Sequence, residues 1–199
     1  MIKNKNIQNL LNNQKNELIN ILNIFLLQKN KNFYKLCSES IKAIKNKKKI
    51  IFFGNGGSAS DSQHLATELI ARFKKNRKAL PGLSLTTDTS ALTAIGNDFG
   101  FENIFSRQIE ALGNSGDICI AITTSGNSKN LTQAIKIANK KGLITFCFSG
   151  NNGGNIKKFT KFPIIIPSKN TALVQVLEIF IGQIYCNIIE DYFYKKNKR

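Results

Sequence analysis

Two turns rich in glycine and hydroxyl-bearing residues are the strongest candidates for a ligand-binding site in this chain. They read Gly54-Asn55-Gly56-Gly57-Ser58 and Thr123-Thr124-Ser125-Gly126-Asn127-Ser128, and each follows a short apolar run. Glycine lets the backbone approach an anion closely, while hydroxyls and the free N–H groups of a following helix can donate to phosphate oxygens. We therefore predict phosphate binding at both turns, with ordinary turns and helix caps as the alternative. Neither turn is a P-loop or a dinucleotide fingerprint, so no nucleotide cofactor is expected.

The single histidine, His64, lies four residues before Glu68. On a helix these positions share a face. An imidazole and a carboxylate together could transfer protons or bind a metal, while a hydrogen-bonded structural histidine is the alternative. Because the predicted helix starts at the first turn, we expect the pair to sit beside a bound phosphate.

Three further polar residues interrupt the apolar run of residues 173–189 near the end of the chain, namely Gln175, Glu178 and Gln183. Polar side chains on an apolar helix need hydrogen-bond partners, which a functional site or a subunit interface could supply. Asp98 stands in the turn-like stretch 96–100, where it is either a helix cap or a site residue.

The elements that must position these residues follow from the apolar pattern. Short runs rich in β-branched and aromatic residues, separated by helical spacing, are typical of a parallel sheet covered on both faces. The predicted strands are 50–53, 83–86, 118–122, 144–148 and 164–166, and the predicted helices between and after them are 58–72, 89–111, 128–140 and 171–194. We therefore predict an α/β fold, an αβα sandwich with a five-stranded parallel sheet. Two helices precede it, over 5–30 and 33–44, so the expected organisation is an N-terminal helical extension (1–48), one domain (49–194) and a basic tail (195–199).

Composition limits the function classes. The net charge of +17 would suit a nucleic-acid partner, but 25 of the 29 basic residues are lysine and cluster near the ends of elements. Lys, Asn, Ile and Phe share A/T-rich codons, so we do not expect nucleic acid as a partner. The four scattered cysteines are expected to be reduced core residues. Neither a membrane span nor a secretory signal is apparent, and the cytoplasm is the expected compartment.

At this point the chain resembles the phosphoheptose isomerases of the sugar isomerase (SIS) fold, from about residue 50 to 190. The resemblance rests on GNGGSASDSQHLATEL (54–69), LTTDTSALTAIGNDFGFENIFSRQIEALG (85–113), TSGNS (124–128) and TALVQ (171–175). It implies conversion of sedoheptulose 7-phosphate to D-glycero-D-manno-heptose 7-phosphate, an early step toward lipopolysaccharide heptose. It also implies a homotetramer with active sites between subunits, whose N-terminal helices take part in packing.

The resemblance further implies roles for individual residues. The phosphate would be held at Ser58, Thr123, Ser125 and Ser128, beside the glycines Gly56 and Gly57. The sugar would contact Asn55, Asp98, Thr124 and Gln175. Zinc would be bound at the positions of His64, Glu68, Gln175 and Gln183, with Glu68 as the base that moves a proton between C1 and C2 through an enediol.

One position departs from the family pattern. The family has a catalytic, metal-binding histidine where this chain has Gln183. A carboxamide does not titrate near neutral pH and is a poor zinc ligand, so it cannot simply replace a histidine. Two alternatives follow. Either Glu68 works with water or another group, or the chain is a non-catalytic SIS-fold regulator resembling the protein that associates with the bacterial replication initiator.

Overall fold

A five-stranded, all-parallel sheet organises the chain, with strand order β2-β1-β3-β4-β5 in a computed structural model that describes residues 4–28 and 30–196. The strands are β1 (Ile50–Gly54), β2 (Gly82–Ser84), β3 (Ile118–Thr123), β4 (Ile144–Gly150) and β5 (Phe162–Ile166). The helices are α1 (Asn4–Leu27), α2 (Lys31–Lys45), α3 (Gly57–Ile70), α4 (Thr89–Phe99), α5 (Ser106–Leu112), α6 (Lys129–Lys140) and α7 (Thr171–Lys196). The predicted fold class is confirmed.

Alternation along the strands builds one core on each face of the sheet. Phe52 and Ile120 face a cluster completed by α2, α3 and α7. Their neighbours Ile51 and Cys119 face a second cluster, completed by α5 and α6. Because successive strand side chains point to opposite faces, an apolar run buries both faces at once. α3 and α7 therefore lie side by side on the same face, which matters for the site.

One sequence prediction about the helices is wrong. Residues 89–111 were expected to be a single helical segment, but α4 stops at Phe99 and Gly100 adopts φ +85°. A short 3-10 turn at Phe101–Asn103 follows before α5 begins. Glycine alone adopts such a φ at little cost, so the chain changes direction where the apolar spacing gave no warning.

The N-terminal helices take unequal parts in the core. Leu36 and Cys37 of α2 are buried in the cluster shared with α3 and α7. Of α1, Ile21 and Phe25 are buried, while most of its other apolar residues are exposed. The proposed division of the chain into extension, domain and tail stays a prediction, and residues 197–199 of the tail lie outside the described residues.

α7 is the one helix among the described residues long and apolar enough to cross a membrane, over Thr171–Lys195, although no such stretch was expected. Half of that segment is buried inside the protein. Its buried side chains include Leu177, Ile181 and Tyr185, which pack in the core on one face of the sheet. α7 is thus a core helix of the αβα sandwich. The four cysteines are free thiols buried in the same core layers, as expected.

Candidate active site

The two turns meet at the carboxyl edge of the sheet, as their positions after β1 and β3 require. β1 and β3 are adjacent and pair Gly54 with Ile122. A Cβ on Gly54 would lie 2.6 Å from the Ser58 carbonyl oxygen and 2.8 Å from that of Ile122. Only glycine permits this close approach, so Gly54 brings the first turn against the end of β3. This edge is where open parallel sheets bind ligands.

The first turn presents an open backbone and one buried hydroxyl. Gly56 has φ +54° and is exposed, with open space where a side chain would be. Ser58 is only 3% exposed, at the start of α3. The Gln175 amide covers the turn closely, since a Cβ on Gly57 would lie 2.2 Å from Gln175 Nε2. The sequence-predicted residues Gly56, Gly57, Ser58 and Gln175 therefore belong to one site.

Asn55 is engaged by a residue that the sequence analysis missed. Asn55 Nδ2 donates to Asn130 Oδ1 at 3.0 Å, and Asn130 Nδ2 donates back to Asn55 Oδ1 at 2.8 Å. Asn130, on α6, is 2% exposed. This reciprocal amide pair ties the first turn to the helix that follows the second turn. Nothing about an asparagine in a predicted helix indicated that it would bond to a turn 75 residues earlier in the chain.

The second turn is shaped by its own side chains. Thr123 Oγ1 accepts from the Gly126 N–H at 3.2 Å, and Ser125 Oγ accepts from the Asn127 N–H at 3.2 Å. Gly126 has φ +67°, and a Cβ there would lie 2.2 Å from the Gly153 carbonyl oxygen. Thr123 is buried, Thr124 and Ser128 are half-buried, and Ser125 is exposed. The buried Thr123 hydroxyl thus holds the turn together, whereas the exposed Ser125 side chain lies at its surface.

His64 and Glu68 form the expected pair on α3, with His64 Nε2 3.1 Å from Glu68 Oε1. The His64 side chain is 47% exposed and that of Glu68 is 19% exposed. Arg77 donates to the backbone carbonyl of Glu68 at 2.7 Å, which fixes the helix end beside this carboxylate. His64 and Glu68 are six and ten positions after Ser58 on the same helix. At 1.5 Å per residue, they lie about 9 Å and about 15 Å from Ser58 along the axis, and their place beside a bound phosphate stays a prediction.

Glu178, on α7, is a buried polar residue that contacts the first turn. It is fully buried, and its Oε2 lies 3.4 Å from Ser58 Oγ. Its Oε1 has no hydrogen-bond partner among the described residues. Burial raises the pKa of Glu178 to about 8, and the charge of Asp61 adds to this, while hydrogen bonds from Ser58 and the Thr123 backbone lower it. Of the two partners that sequence reasoning left open for Glu178, the structure shows the site.

Two further expected site residues, Asp98 and Gln183, lie on α4 and α7. Asp98 is exposed on the last turn of α4, and its Oδ1 accepts from Asn97 Nδ2 at 2.8 Å. Gln183 is half-buried on α7, eight residues beyond Gln175. At 1.5 Å per residue, this spacing puts Gln183 about 12 Å from Gln175 along the helix axis.

The donor set does not fit a zinc site built from one protomer. Of the four residues expected to bind zinc, His64 and Glu68 are strong donors that contact each other, and Gln175 and Gln183 offer carboxamides. Zinc in proteins takes histidine, cysteine and carboxylate ligands in tetrahedral geometry. No group of three such residues converges anywhere within residues 4–28 and 30–196.

Comparison with known proteins agrees with this geometry. The SIS domain family model matches residues 15–150. The phosphoheptose isomerases of Nitratiruptor sp. and Aquifex aeolicus are each 50% identical to this chain, over 77% and 75% of it and 82% and 78% of their own lengths. A solved phosphoheptose isomerase from Neisseria gonorrhoeae superimposes with a TM-score of 0.87 at 34% identity, covering 93% of this chain and 99% of that one. One from Francisella tularensis gives 0.89 at 29% identity, covering 92% and 98%.

The fold and the paired hydroxyl turns thus define an SIS-domain protein. Within that class the chain belongs to the phosphoheptose isomerase family. The relatives at about 50% identity carry this name rather than that of a regulator, so the regulator alternative is not favoured.

Proposed function

We propose that this protein is an aldose–ketose isomerase that converts sedoheptulose 7-phosphate to D-glycero-D-manno-heptose 7-phosphate. The observation that carries the proposal is the His64–Glu68 pair on the helix that starts at a phosphate-type turn. The names of the half-identical relatives support the same reaction class. Ser58, Ser125, Ser128 and the backbone of the turns would bind the phosphate, with Thr123 shaping the second turn, and Asn55, Thr124 and Asp98 would contact the sugar.

The chemistry needs one base placed at the carbon skeleton. Glu68 would remove a proton from C1 of the ketose, forming an enediol, and return it to C2 to give the aldose. A proton must also pass between the C1 and C2 oxygens. Gln183 does not titrate, so water or His64 would carry that proton. This scheme uses only the chain's own side chains and water.

We propose that active sites are shared between subunits of a homotetramer, as the family resemblance implies. An extended chain advances about 1.2 Å per bond, so the eight bonds from phosphorus to C1 of the substrate span about 10 Å. With a contact of about 3 Å at each end, this matches the distance of about 15 Å between Ser58 and Glu68 along α3. In the proposed assembly Glu68 serves the turns of a neighbouring copy.

Exposed apolar residues mark where such copies would meet. Val176, Phe180, Ile184 and Ile188 form a stripe at four-residue spacing on α7, each at least 37% exposed. α1 exposes a second set of apolar side chains that includes Leu10 and Leu26. Contiguous apolar surface of this kind is typical of protein interfaces. An aqueous, cytoplasmic enzyme that feeds lipopolysaccharide heptose synthesis is the setting we propose.

The direct test is incubation of the purified protein with sedoheptulose 7-phosphate, followed by NMR for the aldehyde-derived anomeric signals of the aldose. We expect conversion to an equilibrium mixture, with solvent deuterium entering at C2 in D₂O if the enediol exchanges its proton. Tight binding of the replication initiator with no conversion would instead support the regulator.

The apolar stripe gives a separate prediction about assembly. Replacing Phe180 by Asp should shift the mass measured by light scattering from tetramer to smaller species, because it places a charge in the proposed interface. Activity should fall with assembly. Leu112→Asp is the matched control, since Leu112 is 47% exposed on α5, outside the stripe. A parent that is monomeric at assay concentration would contradict the proposed tetramer.

A further inference from the structure

We propose that Glu178 is a positioning residue of the phosphate site, which lies against Ser58 Oγ and sets whether the Ser58 hydroxyl proton points toward the phosphate. This inference rests on the proposed function, because it assigns Ser58 to the substrate's phosphate. Neither the family resemblance nor the proposed reaction gives Glu178 a role.

The geometry places Glu178 directly beneath the first turn. Glu178 Oε2 is 3.4 Å from Ser58 Oγ, and Ser58 opens the helix whose N–H groups face the turn. Both side chains are buried, so little water competes for their hydrogen bonds. A serine hydroxyl has one proton and two lone pairs. Whichever group holds the proton between Glu178 and Ser58 therefore decides where the serine proton points.

The two protonation states of Glu178 have opposite consequences. A carboxylic acid donates to Ser58 Oγ, which leaves the Ser58 proton free to reach a phosphate oxygen. A carboxylate accepts the Ser58 proton instead and adds a negative charge beneath the phosphate. The acid form thus favours substrate binding, and the carboxylate form opposes it.

The surroundings hold Glu178 in its acid form at neutral pH. Burial is the largest effect and raises its pKa to about 8, helped by the charge of Asp61 on α3. Cys147, on β4, is the other titratable group that interacts electrostatically with Glu178, and burial raises the pKa of that thiol to about 11. Its titration therefore lies well above pH 8. The unpartnered Oε1 of Glu178 fits the same state, because an acid needs fewer donors than a carboxylate.

The test is the Michaelis constant, KM, for sedoheptulose 7-phosphate between pH 6.5 and 9.5, in the parent, Glu178→Gln and Glu178→Leu. The parent's KM should rise as the pH passes about 8, while kcat changes less. Glu178→Gln keeps a donor for Ser58 and should have a nearly parental KM at pH 7 that stays flat to pH 9.5. Glu178→Leu also has no titratable group, so its KM should not change with pH, and it should exceed that of Glu178→Gln by roughly 2- to 12-fold at most, the net value of one hydrogen bond, because Ser58 is no longer oriented.

Controls separate this role from a structural one. Glu178→Gln keeps a hydrogen-bond partner for Ser58 and leaves no unpaired charge, so its melting temperature should stay close to that of the parent. Ser58→Ala should raise KM less in the Glu178→Leu background than in the parent, because Glu178 acts through the Ser58 hydroxyl. Asp61→Asn should keep the alkaline rise in KM. An unchanged KM in Glu178→Leu, or the same pH profile in the parent and Glu178→Gln, would overturn the assignment.

Calorimetric binding of sedoheptulose 7-phosphate over the same pH range tests Glu178 without turnover. Binding that weakens above pH 8 in the parent and not in Glu178→Gln supports the positioning role even if no isomerisation occurs, in which case only the proposed function fails. Absence of binding to both sedoheptulose 7-phosphate and inorganic phosphate would overturn both proposals.

Discussion

Glutamine in place of Glu68 should lower kcat for conversion of the ketose to the aldose by about 10²–10⁴-fold, the usual contribution of a general base. The amide has nearly the shape of the carboxylate, and it can still bond to His64, which lies 3.1 Å away. It cannot accept a proton from C1. KM and the melting temperature should stay close to those of the parent, measured by NMR progress curves and thermal unfolding. Glu110→Gln, at an exposed position on α5, is the matched control and should be fully active.

A mixing experiment extends this prediction to the shared site. If the protein assembles as proposed, Glu68→Gln and Ser58→Ala variants, each weakly active alone, should regain part of the parental rate after being dissociated and reassembled together. If each site takes Glu68 from one copy and Ser58 from another, mixed tetramers contain some intact sites. A Glu68→Gln variant with parental kcat would contradict the assigned base. Mixtures that never exceed their components would place both residues in the same protomer's site.

Replacing Glu190 by Ala should lower the free energy of unfolding by about 3–5 kcal/mol, the cost of leaving one partner of a buried ion pair alone. Glu190 is fully buried and accepts from the backbone N–H groups of Phe73, Lys74 and Lys75 at 2.7–2.9 Å. Its Oε1 is 3.4 Å from Nε of Arg77, whose side chain is 1% exposed. Removing the carboxylate leaves three backbone donors without an acceptor and the buried charge of Arg77 without a counter-charge, so urea unfolding should shift to much lower denaturant.

The neighbouring residue offers a matched control. Asp191 pairs with Lys75 at 2.6 Å on the surface, and Asp191→Ala should leave stability nearly unchanged because exposed pairs contribute little.

The stabilisation by Glu190 should also depend on pH. Burial alone raises the pKa of Glu190, but the three backbone donors and Arg77 outweigh it and hold the pKa below its usual value. The stabilisation is therefore present above pH 4.5 and is lost as the pH falls through the native pKa. Equal stabilities of the parent and Glu190→Ala at pH 7 would show that the hydrogen bonds and the ion pair of Glu190 do not stabilise the fold.

The Glu190 cluster also bears on the site. Arg77, held by Glu190, donates to the Glu68 carbonyl oxygen, so the loop after α3 fixes the helix end that carries the proposed base. Nothing in the sequence pointed to this connection. Glu190 and Arg77 are 113 positions apart, and charged residues near a basic C-terminus resemble a solvated surface.

The sequence by itself determined the sheet, the two turns and the His64–Glu68 pair. Apolar runs such as Ile50–Gly54 (β1) are long enough only for buried strands, and their ends dictate where the turns fall. An i,i+4 spacing on one helix needs no tertiary information. The helix break at Gly100 escaped notice because glycine is compatible with both a helix and a turn, and contacts with other elements decide between them.

The tertiary structure alone decided which distant polar residues share the site and which do not. Asn130 pairs with Asn55 because α6 packs against β3, the neighbour of β1, and Glu178 lies under Ser58 because α7 packs against α3. Glu68, close to Ser58 in sequence, lies about 15 Å from it because a helix is a rigid rod. Nearness in sequence fixes distance along one element. Only the packing of elements, driven by burial of their apolar faces, fixes the distances between them.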